Sequence, residues 1–338
     1  MLDVFNNGLF SVVSLTDAIN KPVFQPQRIG QMGLFTETGV STLTIIVEEK
    51  DGQLTLVSPS PRGSPGQTLD KNKAKGRPFI IPHFQIDDAI YADEVQGVRA
   101  WGTESQLETV QGKVSERMMI HRASHEVTLE YARVGAVIGV ITYADGSTTD
   151  LFSEFGVAQD AEVDWDLDNA TPAAGVLRQK AAATIRLMST NLGGLPFFGV
   201  HALVGDTYYD NLLAHVEVRN TFLNNPTAAE LRRSYVVNGQ SYGSFDFGGI
   251  TFENYRGAVG GTTFINTDKA HFFPLGVPSL FKTYFAPADY VETVNTVGKM
   301  LYVKQYPMPN DKGINMEVQM NQLSLCTRPK ALLKGKRT

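Results

Sequence analysis

His121 and His125 are the first residues in this chain whose type and spacing could do chemistry. On a helix that spacing places both imidazoles on one face, as in the zinc pair of an H-E-x-x-H metalloprotease. The general base of such a site is a glutamate directly after the first histidine, and Arg122 stands there instead. The pair is therefore read as packed or hydrogen-bonded histidines, with a metal-binding enzyme using His121 and His125 kept as an alternative. Asp164, Asp166 and Asp168 alternate like the opening of a calcium loop. Asn169 stands where glycine must make the turn and Gly175 where a bidentate glutamate must close the site. Together with Asp160 and Glu162 the stretch reads as a solvated acidic connector. Cys326 is the one cysteine, which excludes an intrachain disulfide and suits a small buried hydrophobe. No phosphate-cradling glycine loop, C-x-x-C pair or nucleophile elbow occurs. No catalytic residue, cofactor or metal ligand is expected.

The elements around these residues are legible from period and turn chemistry. Leu107, Val110, Val114, Met118, His121, His125, Leu129, Ala132 and Ala136 recur at three or four residues, which predicts one long amphipathic helix. Thr103 and Gln106 have the spacing of a capping box at its start. Ala144-Asp145-Gly146 then predicts a type I′ hairpin between 137–143 and 148–152. Helices are expected over 172–191 with Thr171 as N-cap, over 207–222 capped by Asp206, and over 226–237 capped by Asn225. Glycines alternating with aromatic and β-branched residues from Gly239 to Gly261 predict tight strands. Upstream, Lys50-Asp51-Gly52 predicts a hairpin between 42–47 and 54–57, and 79–86 reads as a returning strand. Between them lies a long loop made basic by Arg62, Lys71, Lys73, Lys75 and Arg77 against a single Asp70. A loop of that length inside a compact domain is there for function or is disordered. The first forty residues, punctuated by Pro22, Pro26, Gly30 and Gly33, read as an extended arm. Such an arm cannot bury Phe5, Phe10, Val23, Phe24 and Phe35 against itself. The class is α+β.

Composition narrows the function. At 338 residues, 42% hydrophobic and 19% charged, the chain can bury a real core. A net charge of -5 argues against a general nucleic-acid binder. No apolar run is long enough to span a membrane, and acidic Asp3 without a basic leader argues against a signal peptide. The C-terminal segment carrying Arg328, Lys330, Lys334, Lys336 and Arg337 reads as a solubilising tail. In a larger assembly it could face DNA or an acidic neighbour through salt-screened attraction.

Several stretches resemble a known family. Asn266-Thr-Asp-Lys-Ala-His-Phe-Phe-Pro-Leu-Gly, Phe281-Lys-Thr-Tyr-Phe-Ala-Pro-Ala-Asp-Tyr and Met316-Glu-Val-Gln-Met-Asn-Gln-Leu-Ser-Leu-Cys-Thr-Arg-Pro are similar to the lambda-type major capsid proteins of tailed bacteriophages, the major capsid protein E family. Asp206-Thr-Tyr-Tyr-Asp-Asn-Leu-Leu-Ala-His-Val-Glu-Val-Arg resembles the same family. The resemblance implies the Hong Kong 97-like (HK97-like) fold. Its expected parts are an N-terminal arm at 1–40, an extended loop at 41–86 and a peripheral domain with a spine helix at 87–163. An apical domain at 164–268 follows, then the closing strands of the peripheral domain and a basic tail at 269–338. It implies self-assembly as hexamers and pentamers into an icosahedral head in the host cytoplasm, with packaged DNA contacted weakly and without specificity. Scaffold protein, portal, maturation protease and decoration protein are the implied partners, and no membrane is involved. Arm and loop would reach neighbouring subunits, making Phe5, Phe10, Phe24, Phe35, Arg62, Lys71, Lys73, Lys75 and Arg77 the candidate contacts. An encapsulin-like nanocompartment shell is the alternative on the same fold.

Overall fold

A computed structural model describes residues 28–49, 75–96, 110–169, 171–223, 243–259 and 261–338. Its axis is the predicted long helix, Val110–Ile138. Over its first half Val114 is buried while Met119 and Ile120 face solvent. From His125 onward it is buried nearly all round, Glu126, Glu130 and Arg133 included. It ends at Gly139, which takes a left-handed φ of 96° and donates its amide to the Gly135 carbonyl at 2.8 Å. At Gly135 a Cβ would stand 2.8 Å from the Ile141 backbone, so glycine there lets the chain fold straight back.

That return is the second predicted hairpin, with strands Val140–Thr142 and Thr148–Asp150 shorter than expected. Only Gly146 takes a positive φ, 83°, and its amide bonds the Tyr143 carbonyl at 3.0 Å. The connection is thus a type I turn followed by a glycine bulge, not type I′. Asp150 accepts the Phe152 amide at 2.9 Å and starts a short helix, Leu151–Phe155, which claims the end of the expected strand.

Two sheets flank the helix. In the first, Gly313–Cys326 is the organising strand. Its C-terminal half pairs antiparallel with Phe281–Phe285, which pairs parallel with edge strand Phe35–Gly39. Its N-terminal half lies between Tyr302–Pro307 and His83–Tyr91. Leu129 of the helix packs into Leu301, Val303, Met316, Val318 and Met320 on this sheet. The second sheet has six strands in the order Val163–Asp164, Leu333–Lys336, Lys269–Leu275, Gly199–Val204, Ile250–Asn254 and Ser244–Phe247. Residues 269–275 and 333–336 therefore belong to the same sheet as 199–254. Its core is aromatic: Trp165 stacks on Phe272 at 5.4 Å and meets Phe252 edge-on at 5.5 Å. A third apolar cluster joins the sheets, combining Ala132, Val134 and Ala136 of the helix with Ile29, Phe79, Leu203, Phe273 and Leu325.

Three helix boundaries move. The helix expected from 172 begins at Val176, because Gly175 with φ 83° occupies the N-cap and Thr171 does not cap it. The helix expected over 207–222 is two, Asp206–Ala214 and Val216–Leu223. Gly205, not Asp206, caps the first, and His215 breaks the run with ψ 136°. Its Nδ1 accepts the Glu217 amide at 3.3 Å and so starts the second helix. The capping box at 103–106, the helix at 226–237 and the turn at 50–52 lie outside the described residues. Strand Thr44–Glu49 pairs with Lys75–Ile80, and its expected partner at 54–57 lies outside the described residues. The return splits there, with His83–Tyr91 as a separate strand.

Candidate assembly surfaces

The hairpin of Thr44–Glu49 and Lys75–Ile80 presents two apolar faces. Residues directly opposite in an antiparallel ladder share a face, and alternate residues along a strand share one too. Ile45 pairs with Phe79, and both turn inward at 7% and 5% exposure, Phe79 meeting the Phe155 ring at 5.5 Å. Ile46 pairs with Pro78 and Thr44 with Ile80 on the outer face, where Ile46 is 69% and Ile80 77% exposed. A strand pair apolar on both faces with only one covered is the signature of a contact surface. Arg77, expected to reach a neighbour, donates to the Glu154 carbonyl and lies 5.9 Å from the Phe155 ring centre, so its guanidinium fastens the hairpin to its own chain. Lys75 stands opposite Glu49 in the ladder. Arg62, Lys71 and Lys73 lie outside the described residues, as do Phe5, Phe10 and Phe24.

The root of the arm is fixed by buried charge. Arg28 reaches Glu253 through two nitrogens, Nη2 at 2.6 Å, and His201 Nε2 lies 3.1 Å from the same carboxylate. Burial pushes the Glu253 pKa up, but the bonds from His201 and Arg28 outweigh it and hold the group below its ordinary value. In the next two residues, the Ile29 and Gly30 amides donate to the Glu130 carboxylate at 2.8 and 3.3 Å, joined by the Tyr255 hydroxyl at 3.0 Å. Here burial dominates and the Glu130 pKa lies above its usual value. Both carboxylates are buried and both are bonded, the condition under which a protein tolerates interior charge. Phe35 follows on the edge strand, half-buried against Phe281 at 5.2 Å with Arg133 over its ring at 5.4 Å. It is thus part of its own sheet.

The basic C-terminal segment is a strand and not a solvated tail. Leu333–Lys336 pairs antiparallel with Lys269–Leu275 and parallel with Val163–Asp164. Lys334 lies 2.7 Å from Glu162, Lys336 3.3 Å from Asp164 and Arg337 3.3 Å from Asp268. Hydrogen bonds from Lys269 and Lys334 hold the Glu162 carboxyl down at about 2. Strand pairing placed these cations over a row of acids, which composition alone does not reveal. Arg328 and Lys330 are exposed.

The acidic stretch is likewise structural. Trp165 and Leu167 are buried, and between them Asp166 takes a φ of 52°. The alternation Val163, Trp165, Leu167 was the available signal, overshadowed by the aspartates between. His121 Nε2 lies 2.7 Å from Asp88, while His125 Nε2 lies 3.2 Å from the Val318 carbonyl. Each imidazole has its own partner, and burial takes the His125 pKa down to about 4. Among the described residues no group of three or more His, Cys, Asp or Glu converges as metal ligands would. Cys326 is fully buried, and burial pushes its thiol up to about 12.

With the geometry in place, comparison with known proteins decides the family. The model of phage major capsid protein E matches residues 11–337. The chain belongs to the phage major capsid protein E family. It is 27% identical over 322 residues to the major capsid protein of Pseudomonas phage KPP10, covering 90% of this chain and 91% of that one. With the major capsid protein of Salmonella phage Felix O1 it shares 25% over 362 residues, covering 98% of each. Among solved structures it is similar to a putative capsid protein of an Escherichia coli CFT073 prophage, at 14% identity and a TM-score of 0.58 over 97% and 99% of the two chains. The fold is the α+β, Hong Kong 97-like capsid fold that the sequence resemblance implied.

Proposed function

We propose that this chain is the subunit of a phage head: it self-assembles as hexamers and pentamers into a closed icosahedral shell around double-stranded DNA and resides in the virion. The observation that carries the reading is the hairpin whose inner face fills its own core while Ile46, Pro78 and Ile80 face outward, on a chain matched to capsid proteins along nearly its full length. A shell of identical subunits supplies the missing cover many times over, and closure leaves no such face bare. Both curated relatives are phage major capsid proteins, which favours a phage head over a nanocompartment.

The chain acts without catalysis or cofactor. Scaffold protein, portal, maturation protease and decoration protein are its partners, assembly takes place in the host cytoplasm, and DNA contact is weak and non-specific. The arm is 1–40, the extended loop 41–86 and the spine-helix domain 87–163 with closing strands at 281–326. The apical unit of 164–268 also takes in the strands at 269–275 and 333–336. Electron microscopy of the protein expressed with its neighbouring head genes tests the reading. Uniform icosahedral shells or free hexamers and pentamers are expected, and a monomer under every assembly condition overturns it.

A further inference from the structure

A second surface does not follow from shell building. Between the hairpin and the body of the molecule lies a cleft of about 770 Å³, inside the roughly 300–1,000 Å³ of ligand sites. Ile46, Val47 and Phe155 contribute apolar surface to it, while Lys282, Arg328 and Lys330 bring three cations. No carboxylate is among its described lining residues, although the whole chain has 35 acids against 30 bases. Among the described residues none of the three cations has a carboxylate within salt-bridge distance, unlike Lys334, Lys336 and Arg337 a few positions on. Asp160 touches the lining through Asn191 and not through a cation. The segment carrying Arg328 and Lys330 is held in place: the Thr327 amide donates to the Leu280 carbonyl at 2.8 Å, and Pro329 and Ala331 are buried in a single 3₁₀ turn. The charges are therefore presented from a fixed backbone.

We propose that this cleft binds an extended acidic segment of a partner protein, with carboxylates on Lys282, Arg328 and Lys330 and aliphatic side chains on Ile46, Val47 and Phe155. Period two is what an extended chain offers, one face charged and the other apolar. A nucleic-acid strand satisfies the cations but gains little from Ile46 and Val47, and the aromatic Phe155 is buried to 3% exposure with its face unavailable for stacking, which favours polypeptide. This chain's own alternating acidic stretch, Val163 to Leu167, is built into its own sheet and does not fill the cleft. The cleft shares Ile46 with the outer hairpin face that the shell reading covers, so binding is tested on the unassembled subunit, where both are open.

Fluorescence anisotropy on the purified full chain tests it, with a labelled alternating Glu-Val peptide, a Gln-Val peptide of the same length and a single-stranded oligonucleotide as probes. Saturable binding of the Glu-Val peptide is expected, weakened about tenfold or more in Arg328→Gln/Lys330→Gln and falling with added salt. Lys282→Met, on a different element, is expected to weaken it too, and unchanged thermal melts of the variants separate lost binding from lost fold. No saturable binding, equal binding of the Gln-Val peptide, or tighter binding of the oligonucleotide through the same residues overturns the proposal. So does a defect of the variants confined to contact between copies of this chain.

Discussion

The C-terminal strand and the hairpin of Thr44–Glu49 and Lys75–Ile80 both carry lysine and arginine on short strands, and they meet different surroundings. Lys334, Lys336 and Arg337 find Glu162, Asp164 and Asp268 within their own chain. The hairpin uses Arg77 to hold itself down, then leaves Ile46 and Ile80 open. The same kind of sequence is completed internally in one place and left incomplete in the other. In this pair of strands the basic residues are satisfied within the chain, and what is left uncovered is aliphatic.

The contrast can be broken at its incomplete end. Ile46→Lys with Ile80→Lys is expected to abolish shell formation by sedimentation and microscopy, while the unassembled subunit melts within about 0.5 kcal/mol of the parent, as exposed substitutions do. A variant that assembles normally removes the hairpin's outer face from the contact set. At the completed end, Trp165→Ala empties the space between Phe272 and Phe252, and a loss of about 3–5 kcal/mol in urea unfolding is expected.

A smaller effect comes from pH. Burial holds His125 at about 4 and His271 at about 3, so both are neutral in the folded chain, whereas in the unfolded chain each binds a proton near 6.5. Stability is therefore full above pH 6.5 and declines as pH falls toward 4, by about 1.4 kcal/mol per unit for each histidine. Urea midpoints of the subunit at a series of pH values check the slope, and His271→Asn is expected to flatten it by about half. The smallest effect is expected from Glu162→Gln, which removes the partner of Lys269 and Lys334 at a half-exposed site. A cost of about 1 kcal/mol or less follows, read as faster hydrogen exchange over 333–336 with the overall melt little changed.

What the sequence made legible follows from the range of the interactions involved. The long helix was readable because its first half has one buried stripe, a local periodicity. Burial of its second half on all sides was not, because Glu126, Glu130 and Arg133 look like surface residues until Arg122, the Ile29 amide and Glu37 are seen to meet them. Turn residues located the hairpin at 140–150 but not the pairing of 44–49 with 75–80, since a ladder closing over some twenty-five intervening residues leaves no local trace. The acidic stretch and the C-terminal segment were misjudged for one shared reason: each looked solvated alone, and each is the other's counter-charge. Among the assembly surfaces, the candidate residues were chosen for being basic or aromatic, while Ile46 and Ile80 passed as ordinary strand residues. Only pairing register and burial separate the covered isoleucine, Ile45, from its uncovered neighbour.

The anchorage of Arg28 on Glu253 and of the Ile29 amide on Glu130 also has a mechanical meaning. Tension applied at residue 28 is carried by two buried carboxylates, one on the long helix and one in the six-stranded sheet. A pull there is thereby shared between the long helix and the six-stranded sheet, whose common core moves as one piece with the arm's root.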